Sequence, residues 1–285
     1  MAGVGNPAYA TGSATYFNGS IYAFAPFFTA SNIPNAGGYN AVQVYVLDPA
    51  TLPACQNSFT LTPSLWIDKP FTLKNGIGAA VANGQIYLFL TGPSTGIQGV
   101  LSSSDGQNWS MVKTVNAPDY PIVHDAITFT DPKDGKTKFM VVASQVASTD
   151  YPLLPAVSIF DPETDTWGPV SPMPQDTLPN GTYGMHASAW FGSWNINWFS
   201  GPNQKWISWN SGNTDAYLHV LGTVWTGAID FIVHWYFNPT TGSWILDQPY
   251  EYWPPVLGVD GGQNRTPVAL GPGYMKNDRR GLYER

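Results

Sequence analysis

Short runs of β-branched and aromatic residues, each broken by a tight-turn pair, recur along this chain and leave little room for helix. No apolar stripe at i, i+3, i+4, i+7 lasts more than two turns, and Pro or Gly interrupts most windows. The 25 Pro and 29 Gly of the 285 residues follow no period, which suits many turns rather than a linker or a fibre. Two kinds of hairpin alternate. The first is a strand, a tight turn and an aromatic strand, as in Ser13–Phe24 and Gly78–Phe89. Their Asn18-Gly19 and Asn83-Gly84 pairs suit type I′ turns, in which both central residues need positive φ. Looser copies are Asp125–Val142 turning at Asp134-Gly135, His186–Ser200 turning near Gly192, and His219–Trp235 turning near Gly227. The second kind is a strand, an Asp- or Asn-centred turn and often a Trp: Val44–Pro49, Leu101–Trp109, Val157–Trp167, Trp235–Trp244 and, more weakly, Trp206–Gly212.

Two such hairpins in succession make a four-stranded antiparallel sheet, and five irregularly spaced sheets make a propeller. The fold class is therefore read as all-β, a single β-propeller domain of five blades with four antiparallel strands each. The blades are placed at 10–68, 76–115, 122–172, 184–212 and 217–248, and 249–285 is read as a closing tail. Four or six blades, or a two-sheet sandwich with long loops, remain open at this point. Ser103-Ser-Asp-Gly-Gln-Asn-Trp109 resembles the Asp-box turn of sialidase-type propellers, one residue short of the usual pattern. The Phe-Asp-Pro…Trp and Phe-Asn-Pro…Trp turns resemble kelch-type blade hairpins. Both resemblances imply architecture; an Asp box is a structural turn and implies no sialidase activity.

Charge narrows the partners. Charged residues are 11% of the chain, hydrophobic ones 43%, and the net charge is −7. Nucleic-acid binding neutralises phosphates with Lys and Arg, and the 12 here are scattered, apart from Lys276, Arg279, Arg280 and Arg285 in the tail. No partner nucleic acid is expected. Apolar runs such as Ile86–Leu90 fall far short of the roughly 20 residues that span a bilayer, so no membrane is expected either. Cys55 stands alone, which excludes an internal disulfide and a cysteine metal cluster. The opening Met1-Ala2-Gly3 lacks the charged-then-apolar form of a signal peptide, while the Lys-poor, Trp/Asn/Thr-rich style points to an extracellular protein. Sequons at Asn18, Asn108, Asn180 and Asn264 are about as many as chance supplies and decide nothing. Oligomeric state is not legible.

In a propeller the first strand of each blade lines the axis, and its first residues stand at the funnel mouth. Aligning the five inner strands places Ser13, Gly78, Asp125, His186 and His219 at equivalent positions, with His124 beside Asp125. Three of the four histidines thus fall at inner-strand starts. Imidazole can act as acid, base or donor near neutral pH, so His186 and His219 are the candidate proton-transfer or polarising groups. Asp125 is the candidate orienting group, and His124, Ser13, Trp190 and Trp225 are the candidate ligand contacts. No His-x-His or His-Glu-x-x-His spacing supports a metal, and no phosphate-cradling loop, dinucleotide fingerprint or Gly-x-Ser-x-Gly elbow occurs. No cofactor is expected.

Five-bladed arabinanase-like glycosidases, which the architecture resembles, place acidic residues at several inner strands. Here Asp125 alone stands at those positions, and ordinary glycoside hydrolysis, which needs two carboxylates, is not expected. Twelve Trp, fifteen Tyr and fourteen Phe supply aromatic walls. Two readings of the pocket follow. The first is a cofactor-independent enzyme taking a small, largely apolar, uncharged molecule through a cyclisation or cycloaddition, as in natural-product biosynthesis. In broad character the chain is similar to fungal propeller-like hetero-Diels–Alderases. The alternative is a secreted, lectin-like propeller that binds a neutral glycan. Divergence among the blades favours the first, because multivalent lectins repeat one motif for avidity.

Overall fold

A computed structural model of the chain describes residues 13–27, 41–50, 65–67, 76–91, 98–120, 122–145, 155–174, 183–191, 195–200, 205–210, 217–225, 230–246, 268–269 and 275–276. Among the described residues all regular structure is strand.

The first sheet runs β1 (Ser13–Phe17), β2 (Ser20–Phe27), β3 (Ala41–Leu47), β4 (Leu65–Ile67), each antiparallel to its neighbour. The second repeats that order with β5 (Gly78–Ala82), β6 (Gln85–Thr91), β7 (Gln98–Ser103) and β8 (Ser110–Met111). The third contains β9 (Ile122–Thr130), β10 (Thr137–Ser144), β11 (Ala156–Asp161) and β12 (Thr166–Trp167), with β13 (Ser171–Pro172) also on β11. The turns between the first two strands are those the sequence demands. Asn18 and Asn83 have φ of 46° and 51°, and each is followed by a positive-φ glycine.

Burial explains why the strands of the second and third sheets read as unbroken apolar runs. Side chains alternate across a strand. On β6, Ile86, Leu88 and Leu90 join Phe24, Val42 and Val44 of the first sheet in one cluster. From the opposite face, Tyr87 and Phe89 join Phe139, Val141 and Phe160 of the third. On β10 the alternation repeats: Met140 and Val142 turn to Leu218, Val220, Trp235 and Phe237 beyond. Each sheet thus packs face to face on the next in chain order.

Turn chemistry locks these faces together. Asp105 accepts the backbone N–H groups of Gln107 and Asn108 at 2.8 and 2.7 Å, and Ser103 Oγ accepts that of Gly106 at 2.8 Å. Gly106, at φ 73°, is pressed against the first sheet: an added Cβ would lie 2.3 Å from the Tyr22 ring. Trp109, which closes this turn, meets Phe24 edge-on at 5.6 Å. The Asp-Pro and Asn-Pro turns share a simpler device. Asp48, Asp161 and Asn238 each accept the N–H two residues on, at 2.8–2.9 Å.

The fourth sheet departs from the expected blade boundaries. Its strands are β14 (Tyr183–Phe191), β17 (Leu218–Trp225), β18 (Asp230–Asn238) and β19 (Ser243–Leu246), while β15 (Asn195–Ser200) and β16 (Lys205–Asn210) pair only with each other as a separate hairpin. The segments 184–212 and 217–248, read from the sequence as two blades, therefore supply one sheet. Phe191 stands opposite Leu218, so residues 192–217 are an insertion into what would otherwise be a tight hairpin. The misreading has a physical cause: β15–β16 carries the same alternating, aromatic-rich signature as a blade hairpin. A last pair, β20 (Val268–Ala269) and β21 (Met275–Lys276), lies in the predicted closing tail, with β20 against β14.

The first strands β1, β5, β9 and β14 lie side by side in that order. Sheets stacked face to face with their first strands adjacent are the arrangement of a propeller.

Candidate functional site

The inner strands are tied together by hydroxyls and by one close approach. Ser13 Oγ accepts the N–H of Ala79 at 3.1 Å, joining β1 to β5. Thr128 Oγ1 donates to the carbonyl of Val81 at 2.8 Å, joining β5 to β9. Between them Gly78 lies against the Asp125–Ala126 backbone: a Cβ there would stand 2.8 Å from Ala126 Cβ and 3.0 Å from the Asp125 carbonyl carbon. Glycine is what the approach permits. Ser13, Gly78 and Asp125 thus form one row across the leading ends of three inner strands.

At the third place in that row β9 carries a bulge. Asp125 stands opposite Val142 and Val123 opposite Ala143, which leaves His124 as the extra residue. Bulges turn side chains to new directions and are frequent beside functional sites. The phase change is visible in the packing, since Val123 and Ala126, an odd number of positions apart, both join the core shared with the second sheet. His124 is buried, and its Nε2 is 2.7 Å from Ser144 Oγ on β10. Asp125 is half-buried, and its Oδ1 accepts the N–H of Ala126 at 2.9 Å. Two adjacent polar residues therefore have separate stations, one inside the sheet packing and one at the row.

The approach to β9 is clamped from the second sheet. Gln98, 2% exposed, donates its backbone N–H to the Pro118 carbonyl at 3.1 Å and its Nε2 to the Tyr120 carbonyl at 3.0 Å. Tyr120 is half-buried at this end, and burial first, then the nearby Asp119 charge, push its hydroxyl above the usual tyrosine range. It remains neutral and keeps its proton to donate.

The remaining candidates are distributed differently from the sequence alignment. His219 lies on β17, the second strand of the fourth sheet, opposite Trp190 and Tyr236. It is fully buried, its ring edge-on to Tyr236 at 4.9 Å. His186, on β14, stands opposite Thr223, and a bulge falls between it and Gly184. Four positions separate the His186 and Trp190 registers, about 13 Å along a strand, so the backbone positions of His186 and His219 are well apart. Trp190 is correspondingly at the far end of β14. Trp225 is at the leading end, opposite Tyr183. The side chains of His186, Trp190 and Trp225, and all of Cys55, lie outside the described residues. The alignment missed the His124 bulge and the role of Gly78. The first had a trace in the sequence, the odd spacing of Val123 and Ala126; the second had none, because a glycine's neighbours are set by packing.

No family model matches the chain, and no curated protein matches it. Solved structures do. The Bombyx mori GH32 beta-fructofuranosidase BmSUC1, in a mutant form in complex with sucrose, has a TM-score of 0.50 at 12% identity over 87% of this chain. The chain spans 50% of that enzyme's length. The GH43_1 enzyme from Xanthomonas citri has a TM-score of 0.45 at 14% identity, covering 86% of this chain and 72% of its own. The endo-arabinase from Bacteroides thetaiotaomicron has 0.43 at 13%, covering 85% and 78%. These neighbours are glycoside hydrolases, and that corrects the expectation of a cyclisation or cycloaddition enzyme of natural-product biosynthesis. At such identities the likeness bears on fold, and there it agrees with the sheet order: the chain is an all-β protein with the architecture of a β-propeller.

Proposed function

We propose that this chain is a carbohydrate-binding propeller with a single axial site at the leading ends of β1, β5 and β9. The observation that carries the reading is the row of Ser13, Gly78 and Asp125, in which the β9 bulge gives the half-buried Asp125 a station apart from the buried His124, and the Asp125 backbone packs against Gly78. A carboxylate accepts hydrogen bonds through two oxygens, which suits a pair of sugar hydroxyls. A neighbour of similar fold in complex with sucrose adds support. Hydrolysis of a glycosidic bond uses two carboxylates, and the described row holds one, so the reading is binding rather than cleavage.

In this reading Tyr120 and Trp225 form walls, the ring has five blades with β20–β21 in the fifth, and the Asp105 turn is a structural Asp-box-like device. An extracellular location accords with the ligand. The test is a calorimetric titration with sucrose, xylotriose and arabinan oligosaccharides. Saturable binding of one of them, weakened at least tenfold by Asp125→Ala without loss of thermal stability, is the expected result. Binding that Asp125→Ala leaves unchanged, or no saturable binding across the panel, rejects it.

A further inference from the structure

The first two hairpins close on the same turn and differ in what stands around it. β1 and β2 join through Asn18-Gly19, at φ 46° and 85°, and β5 and β6 through Asn83-Gly84, at 51° and 71°. Both asparagines are exposed, and a Cβ added to either glycine meets nothing within 4 Å, so each tip stands in open space. Two residues after the asparagine comes Ser20 in the first hairpin and Gln85 in the second. Two residues before it comes Tyr16, 63% exposed, in the first, and Val81, half-buried against the core, in the second. Of the two, the first hairpin alone combines a hydroxyl after the tip with an aromatic ring left in water before it.

Asn-x-Ser displayed on a surface turn is an acceptor for an N-linked glycan. The other described sequon, at Asn108, is built into the Asp105 turn. Its Nδ2, the atom to which a sugar is joined, donates to Asp105 Oδ2 at 2.7 Å, and its backbone N–H donates to Oδ1 of the same carboxylate. Substitution there replaces a hydrogen of that nitrogen and sets a bulky group against the turn. The Asn18 carboxamide has no such tie among the described residues. We propose that Asn18 is an N-glycosylation site and that its first sugar rests on the Tyr16 ring. Asn18 Nδ2 forms a bond to the anomeric carbon of the sugar, and the bond from that carbon to the pyrophosphate of a lipid-linked oligosaccharide donor breaks. Lipid pyrophosphate leaves, and Nδ2 gives up one proton. Tyr16 and Asn18 are about 7 Å apart along the chain, a span that a pyranose ring covers, and the negative face of an aromatic ring attracts the partly positive C–H bonds of a sugar. Ser13, at the other end of β1, is about 16 Å from the tip, so the glycan stands clear of the Asp125 row.

The proposal rests on the extracellular location of the reading above and not on what the axis binds, so a failed sugar titration leaves it standing. Its test is the full chain exported from a eukaryotic cell behind a secretion leader; the experiment supplies the location, and the outcome bears on the site alone. Glycans are released by peptide-N-glycosidase in heavy-oxygen water, and peptide mapping by mass spectrometry then marks each occupied asparagine. Asn18 is expected to be occupied in the wild-type chain and in Ser20→Thr, and to lose its glycan in Ser20→Ala, which keeps the Asn-Gly turn. Removing the glycan is expected to lower the melting temperature of the wild-type chain and to leave that of Tyr16→Ala unchanged. An exported chain with Asn18 unmodified, whatever the state of the other sequons, overturns the proposal. An equal fall in melting temperature for both chains overturns the seating on Tyr16. If Ser20→Ala is not exported, its translation into microsomal membranes gives the same reading of occupancy.

Discussion

Asp105 shows how much one side chain can organise without being buried. It is fully exposed, yet the Asn108 backbone N–H first, then the Asn108 side chain and the Gln107 N–H, hold its carboxyl well below the usual aspartate range. The charged form is the one the fold prefers. Its contribution to stability is therefore complete above the unfolded-state value, about pH 4, and is lost as pH falls through the lower folded value. Asp105→Asn removes that dependence. The difference in melting temperature between the two proteins is expected to be constant from about pH 5 to 8 and to shrink below about pH 4. A difference that does not change with pH would show that the charge has no part in the turn. The residue carrying the proposed binding, Asp125, works oppositely: its value lies in a direction set by one extra residue in β9.

At the level of elements, the β15–β16 hairpin is where pattern and topology part. Strand periodicity identified both strands, but pairing partners are chosen by register and by which faces find cover, and β14 found β17. Because Phe191 and Leu218 face each other across that pair, a two-residue turn can join them. Replacing residues 192–217 with Asn-Gly is expected to leave a cooperatively folding protein with unchanged affinity at the Asp125 row, measured by thermal melting and titration. Loss of folding in that variant would mean that the insertion belongs to the core of the sheet. The His124 bulge belongs to this scale too, since it sets Val123 and Ala126 on one side and separates the stations of His124 and Asp125.

For the whole molecule, each described core cluster draws on two adjacent sheets. No one of these sheets can melt without uncovering its neighbour, and fully burying a side chain such as Leu88 or Phe139 is worth roughly 1.5–3 kcal/mol. Unfolding followed by far-UV circular dichroism and by tryptophan fluorescence is expected to give coincident transitions; separated midpoints would show that blades fold as independent units. Much of this architecture was legible beforehand. Asn18-Gly19 and Asn83-Gly84 announced their turns because few other pairs tolerate two positive φ angles, and period-two aromatic runs announced the strands. Ser13, Gly78 and Asp125 were aligned by hairpin position; Ser13 bonds the Ala79 N–H, and Gly78 packs on the Asp125–Ala126 backbone. His219 was read as an inner-strand start because the β15–β16 insertion has the same local pattern as a blade. Local conformation is dictated by each residue's own sterics and its near neighbours, so the chain alone decided strands and turns. Which strands pair, where a bulge shifts phase and which face is left open depend on contacts between residues distant in sequence, and only the folded arrangement decided those.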